Sequence, residues 1–338
     1  MWFPLELEDL REICACLPAG RTLFYYERDW IYVMLLEYLL EAGWTAPDIR
    51  RSNFARLLEK RQIRKMIAAK GQLRIEESDV LNLYQKDFIA WRLTLGSWGN
   101  PRDNRYIQIT RRGFNLVLQV NFPEQHNRQY RHYINGDNRD FFNYSGHPAS
   151  NRELTMAWVR LDVDMSNGEV LIEEIQSDWI RSVARHAEYP CNLHRRLVSN
   201  AAPDSLHANR SRAQTCKDVR HYANTVMPEF TSHWQETAIA AAVFFSVREL
   251  GIREIFIHDF ETGNRLKHIS QQYGLPPRST YTTLPKKFCF QNTSQVPKLA
   301  LEPLEKINKG KKLTQKLRDP RFWHLSLDRP DNRKHNHL

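Results

Sequence analysis

The 338-residue sequence predicts an α+β protein, with a mixed, mostly antiparallel sheet preceded by a helical N-terminal region. Three observations carry this. Up to about Lys86 the apolar residues recur at helical spacing, as in Leu35, Leu36, Leu39 and Leu40. Between Arg105 and Gln176 polar and apolar residues alternate, with turn signals at Arg111-Arg-Gly113 and Met165-Ser-Asn-Gly168. Beyond that, an Ala-rich helical stretch stopped by Gly251 is followed by a short apolar strand at Glu254 to His258.

Residues 1–98 form the helical region. Phe54, Leu57 and Leu58, then Ile63, Met66 and Ile67, mark two short helices, with Arg50, Arg51, Arg56, Lys60, Arg61, Arg64 and Lys65 on their outer faces. That pattern suits a DNA-reading helix-turn-helix and equally a solvated surface. Trp98-Gly-Asn-Pro101 is a turn cluster and sets the boundary of an α+β domain over residues 99–295. In it, Arg105 to Thr110 and Phe114 to Phe122 read as a hairpin, and residues 123–152 as an aromatic-rich surface loop. Thr155 to Asp164 and Glu169 to Gln176 read as a second hairpin across the Asn-Gly turn. Residues 179–228 are a basic excursion: a short helix, then an irregular run carrying Arg195, Arg196, Arg210, Arg212, Lys217 and Arg220, long enough to imply a lid or binding loop. Thr231 or Ser232 caps the helix to Leu250, Gly263 to Tyr273 is a further helix, and Thr280 to Gln291 is strand-like. Residues 296–338 are a basic C-terminal extension, with Lys306, Lys309, Lys311, Lys312, Lys316 and Arg318, whose last residues read as disordered.

A formal charge of +10 and a pI near 9.4 favour a polyanionic partner such as nucleic acid, or a basic surface without one. Five scattered cysteines without CxxC spacing give no zinc site and suit a reduced, cytoplasmic protein. The apolar run Trp30 to Leu40 is interrupted by Glu37 and falls short of the about 20 residues a membrane span needs. Glu6, Glu8 and Asp9 stand where a secretory signal carries positive charge. Oligomeric state is not legible.

The stretch Val170-Leu-Ile-Glu-Glu-Ile-Gln-Ser-Asp-Trp179 is the most informative. Alternation puts Glu174, Gln176 and Asp178 on one side and Leu171, Ile175 and Ser177 on the other. Polar groups gathered at the end of a buried strand are costly, which points to a site. Here Glu174 is the candidate general base, with Gln176 and Asp178 orienting an acceptor. Asp178 also suits a helix cap. Arg160, opposite Glu174, reads as an ion-pair partner or an anion grip, and Trp179 and Trp234 as core anchors or substrate platforms. His258-Asp259 follows a strand end, where α/β proteins place chemistry, and Asn264 follows on the next helix. His233 and Glu236 share a helical face.

Glu173-Glu-Ile-Gln-Ser-Asp-Trp179, followed by Trp234 on an Ala-rich helix and by Gly251-Ile-x-x-Ile255, resembles a domain of phage-encoded polyvalent proteins and their bacterial relatives. The match covers the middle third of the chain and carries no assigned activity. The element order, with hairpin strands, the Glu174 strand, a long helix, Ile255 to Ile257, Asn264 and Tyr273-Gly-Leu, is similar to the central part of GNAT-type N-acyltransferases. That resemblance implies acyl transfer, with Asn264 and Tyr273 near acyl-coenzyme A. It requires a splayed strand pair beside the Glu174 strand and a cavity reaching Asn264. The helix beginning Pro228-Glu-Phe-Thr-Ser-His-Trp234 lacks the glycine turn that holds the pyrophosphate in that family. Asp162 or Asp164 with Glu174-Ile-Gln176 also resembles the Asp…Glu-x-Lys pattern of PD-(D/E)xK nucleases, with Gln in place of Lys. This implies a Mg²⁺ site on those carboxylates. Group transfer to or from a nucleic-acid-associated or other anionic partner is the first expectation, a Mg²⁺ nuclease the second, and a non-enzymatic nucleic-acid binder the third.

Overall fold

The structure, a computed structural model, describes residues 22–330 except 71–74, 85–87, 101–108, 111–112, 135–139, 200–210, 270–274 and 310–318. In chain order its elements are β1 (Thr22–Tyr26), α1 (Ile31–Glu41), α2 (Ala46–Arg50), α3 (Arg61–Ala69), α4 (Glu77–Leu81), β2 (Ile89–Trp98), β3 (Asn115–Asn121) and α5 (Glu124–Tyr133). There follow β4 (Thr155–Asp164), β5 (Glu169–Gln176), α6 (Asp178–Glu188), α7 (Pro190–Ser199), α8 (Arg212–His221), a π-helical turn (Tyr222–Val226), α9 (Pro228–Thr231) and α10 (Trp234–Arg248). Last come β6 (Glu254–His258), α11 (Phe260–Leu266), a 3₁₀ turn (Arg278–Tyr281), α12 (Leu284–Lys287), β7 (Gln291–Thr293), α13 (Lys298–Asn308) and β8 (Phe322–Ser326).

Among the described residues, all eight strands belong to one sheet, in the order β1-β2-β3-β4-β5-β6-β8-β7. Every pairing is antiparallel except β5 with β6. The parallel pair requires a crossover, which the helices from α6 to α10 supply. The β4–β5 hairpin turns at Gly168, whose φ of +65° a glycine adopts without cost. Its register jumps once: Arg160 lies opposite Glu174 while Leu161 lies opposite Ile172, so Glu173 is the extra residue of a β-bulge. The bulge breaks the expected alternation. Glu173 and Glu174 both approach the same cations, Arg160 and Lys267, and Leu171 joins a different apolar cluster from Val170, Ile172 and Ile175.

The larger core lies where α1 and α10 pack with β1 to β5; α10 is buried on nearly every side, as a helix apolar all round must be. A smaller cluster, with Leu171, Phe256, Leu266, Leu299, Leu304 and Phe322, sits under α11 and α13. Glu236, buried on α10, ties the layers together. It accepts the Tyr26 hydroxyl at 2.7 Å, the Asp29 N–H at 2.6 Å and the Lys287 ammonium at 2.5 Å. His233 and Glu236 therefore form no metal pair: Glu236 is consumed by β1 and α12. Glu236→Ala leaves buried donors without an acceptor and is expected to cost about 1–3 kcal/mol in a urea unfolding titration.

Several segments differ from the sequence expectation. The helical N-terminal region also contributes strands β1 and β2, and β2 takes the hairpin place opposite β3; residues 105–108 of the expected partner strand lie outside the described residues. The turn at Trp98 follows a strand of the same sheet. The presumed surface loop 123–152 contains α5 and buries Phe141 and Phe142. The described parts of the excursion 179–228 are mostly helical, because its apolar residues Val183, Leu193, Leu197 and Val219 recur on buried faces; Arg210 lies outside the described residues. Thr280 to Gln291 is a 3₁₀ turn and a short helix, as Pro285 at the start of α12 favours. His233 stands at the N-cap of α10 with no side-chain cap, in place of Thr231 or Ser232. The C-terminal extension holds α13 and β8, and β8 inserts between β6 and β7. Lys311, Lys312, Lys316, Arg318 and the final residues lie outside the described residues. Among those described, no helix is long and apolar enough to cross a membrane.

Candidate functional site

Two polar clusters grow from the end of β5. The first is sealed. Glu173, Arg160, His258 and Lys267 are each at most 2% exposed. Glu173 Oε1 accepts the Thr110 N–H at 2.8 Å, and the Thr110 hydroxyl meets His258 Nε2 at 2.7 Å. His258 Nε2 stands 3.9 Å from Glu173 Oε2, beyond hydrogen-bond reach. Arg160 donates to Glu174 Oε2 at 2.5 Å. Burial works against the Glu173 carboxylate, but His258, Lys267 and Arg160 around it hold its pKa down, at about 2. Burial pushes His258 and Lys267 below their ordinary values. Glu174, the expected base, is thus bound to a buried guanidinium and serves as its counterion.

Pairing between β5 and β6 stops at Ile172 opposite Ile257. Past that point the strands are bridged by protein groups. Lys267 Nζ donates to the Glu173 carbonyl at 2.6 Å, and the Ile175 N–H donates to the Tyr281 hydroxyl at 3.3 Å. Asn264 is buried, and Tyr273 lies outside the described residues. The splay expected to admit acyl-coenzyme A is therefore closed by Lys267 and Tyr281, and the residues at that gap do not fit the ligand there.

The Mg²⁺ ligand set is not assembled either. Asp164 accepts from Ser166 Oγ, the Asn167 N–H and Asn167 Nδ2, which makes it the anchor of the hairpin turn. Asp162 is fully buried opposite Leu171, while Glu174 lies opposite Arg160. Among the described residues, no three His, Cys, Asp or Glu side chains are grouped to hold a metal ion.

The second cluster is open. Ser177 caps α6 by accepting the Ile180 N–H at 3.1 Å, so Asp178 takes the first helical position, where the helix dipole favours a carboxylate. Asp178 Oδ2 meets His147 Nδ1 at 2.8 Å and Trp158 Nε1 at 3.3 Å; Oδ1 accepts from Gln176 Nε2 and Arg181, both at 2.8 Å. Burial opposes its charge, yet the bonds from His147, Trp158 and Gln176 hold its pKa below the usual carboxylate range. Two groups meet His147 Nδ1, the Asp178 carboxylate at 2.8 Å and Gln176 Nε2 at 3.0 Å; the charged and shorter contact favours the proton on Nδ1, which leaves Nε2 as the nitrogen with a lone pair. Asp178 and His147 border a cavity of about 650 Å³ between α6 and residues 140–147, lined also by Arg181, Ser182, Arg185, His186 and Tyr144. A second cavity of about 450 Å³ near β1 is walled by aromatic rings, and its acid, Glu37, is held by Tyr84 and Arg248.

Of the expected site residues, Asp178 borders this cavity with Gln176 bonded behind it, and Glu174 and Arg160 meet in the sealed cluster with His258. Asp259 caps α11 by accepting the Thr262 N–H at 2.7 Å. Trp179 is a core anchor, fully buried, with its N–H on the Tyr222 hydroxyl at 3.0 Å; Trp234 packs partly buried against the main core. Sequence reasoning missed His147, Arg181, Arg185, Thr110 and Lys267. His147 is 31 residues from Asp178, and only its place in Gly146-His-Pro148, inside an aromatic loop, set it apart. Glu173 stands in the motif, but strict alternation gives it no place beside Glu174, because a bulge leaves no mark in the sequence pattern. Comparison of the chain with family models, with curated proteins and with solved structures returns no match.

Proposed function

We propose that the chain is a group-transfer enzyme acting on an anionic substrate in the Asp178 cavity, with His147 as general base and Asp178 as the residue that orients it. One observation carries the reading: the His147–Asp178 contact at the edge of a cavity that also holds Arg181 and Arg185. A histidine whose Nδ1 proton is held by a carboxylate keeps Nε2 directed to deprotonate an attacking hydroxyl, amine or water. Guanidinium groups close by favour a substrate with negative charge and stabilise charge that develops in the transition state. Acyl transfer is the preferred reaction class, since a carboxylate-oriented histidine can supply the base that activates an acyl acceptor. The donor enters the Asp178 cavity, because Lys267 and Tyr281 close the route between β5 and β6.

The test is turnover by the purified chain on acyl-coenzyme A and simple acyl esters, and on labelled RNA and DNA with and without Mg²⁺. His147→Ala is expected to abolish measurable turnover, while Arg181→Ala and Arg185→Ala raise KM. Turnover that survives His147→Ala, or that depends on Mg²⁺ and Glu174, overturns the proposal.

A further inference from the structure

The cavity beside Asp178 has two chemically different walls. On one, α6 presents Arg181 and Arg185 one turn apart. On the other, Tyr144 offers a ring 63% exposed, set edge-on to His147 with centroids 4.9 Å apart. Both carboxylates on the rim are already occupied. Asp178 has its four donors, and Asp140 accepts the Phe142 N–H, the Asn143 N–H and Asn143 Nδ2. Besides His147 and neutral hydroxyl and amide groups, what the lining offers a ligand is cationic and aromatic. Arg185 makes no side-chain bond to any described residue, and Arg181, 60% exposed, spends one nitrogen on Asp178.

Paired guanidinium groups match the oxygens of a phosphate. An exposed tyrosine ring that supports no core is a stacking platform for a flat heterocycle. The cavity, about 650 Å³, is far larger than a lone phosphate fills and suits a whole small ligand. Deepening the group-transfer reading above, on which it rests, we propose that this cavity takes a nucleotide unit, with its phosphate on Arg181 and Arg185 and its base on Tyr144. A free mononucleotide and the phosphorylated end of a nucleic-acid strand share that chemistry.

The test is calorimetric titration of the full chain with AMP, adenosine, ribose 5-phosphate and inorganic phosphate, and with short oligoribonucleotides with and without a terminal phosphate. AMP is expected to bind at least about tenfold more tightly than each fragment, as joint use of two walls requires. Arg185→Ala lowers affinity for AMP and ribose 5-phosphate at least about tenfold and leaves adenosine unchanged, a split that general loss of structure does not produce. Tyr144→Ala does the reverse, weakening AMP and adenosine but not ribose 5-phosphate. An oligoribonucleotide that outcompetes AMP only when it carries the terminal phosphate identifies a strand end as the source; equal binding with AMP identifies the free nucleotide, and both support the proposal. AMP binding no tighter than ribose 5-phosphate, or unaffected by Arg185→Ala, overturns it. If nucleotides fail while His147-dependent turnover persists on another anion, this inference alone falls. If nucleotides bind as expected without His147-dependent turnover, the inference stands and the enzymatic reading falls.

Discussion

Replacing Glu173 by alanine is expected to destabilise the protein by about 3–5 kcal/mol, because the change leaves buried charge uncompensated. Glu173 and Glu174 together face Arg160 and Lys267, and none of Glu173, Arg160 and Lys267 has appreciable contact with water. Without Glu173, two cations share one carboxylate, and the Thr110 N–H loses its acceptor. Urea unfolding monitored by tryptophan fluorescence reads the effect as a lower midpoint. Glu173→Leu combined with Lys267→Met removes both signs and is expected to recover part of the loss, a coupling that a double-mutant cycle isolates. An additive double variant contradicts the ionic account. The same carboxyl predicts acid sensitivity. Its folded pKa, about 2, lies below the unfolded 4.5, so the unfolded chain binds the proton first, and the stability that Glu173 contributes above pH 4.5 drains away as pH falls toward 2. Buried His258 and His126 begin the decline earlier. Burial depresses both below 6.5, with His126 at about 3, so each disfavours the fold as pH drops below 6.5.

Asp178→Asn is expected to lower kcat by about 10²–10⁴-fold while leaving the fold intact, the range that general-base contributions span. An asparagine can present its amide N–H₂ to His147 Nδ1, which drives the imidazole proton to Nε2 and removes the lone pair the reaction needs. The variant also replaces the carboxylate that accepts Trp158 and Arg181. Its pH signature has a definite sign. Asp178 is depressed in the folded chain, so its contribution is present above the unfolded carboxylate pKa and lost as pH falls through the folded one. The stability curve of Asp178→Asn should lack that acid-side slope. Unchanged kcat in Asp178→Asn, on a substrate that requires His147, eliminates the orienting role.

The fold class was legible because periodicity reports which side of an element is buried. The β4–β5 hairpin, α10 and β6 all stood out by alternation, an Asn-Gly turn or an Ala-rich run closed by glycine. The strands β1, β2 and β8 did not. β1 and β2 adjoin helical stretches that dominate the local pattern, and Phe322-Trp-His-Leu-Ser326 is a short apolar island in a basic, polar neighbourhood. The site was half legible. Asp178 and Gln176 declared themselves as polar groups at a strand end, but His147 and Arg185 acquire meaning only when residues 140–147 fold over α6. Glu173 was hidden by the bulge, since one extra residue reverses the facing of everything before it without altering composition.

The place of β8 in the sheet bears on how the chain is made. During synthesis β6 emerges long before the strand that lies against its outer side, and in that interval its N–H and C=O row is an open edge able to recruit another nascent copy. The ribosome must release Phe322 to Ser326 before the hydrophobic layer under α11 and α13 can close. Premature stop codons anywhere upstream of Phe322 should therefore yield aggregated product instead of a shortened functional protein.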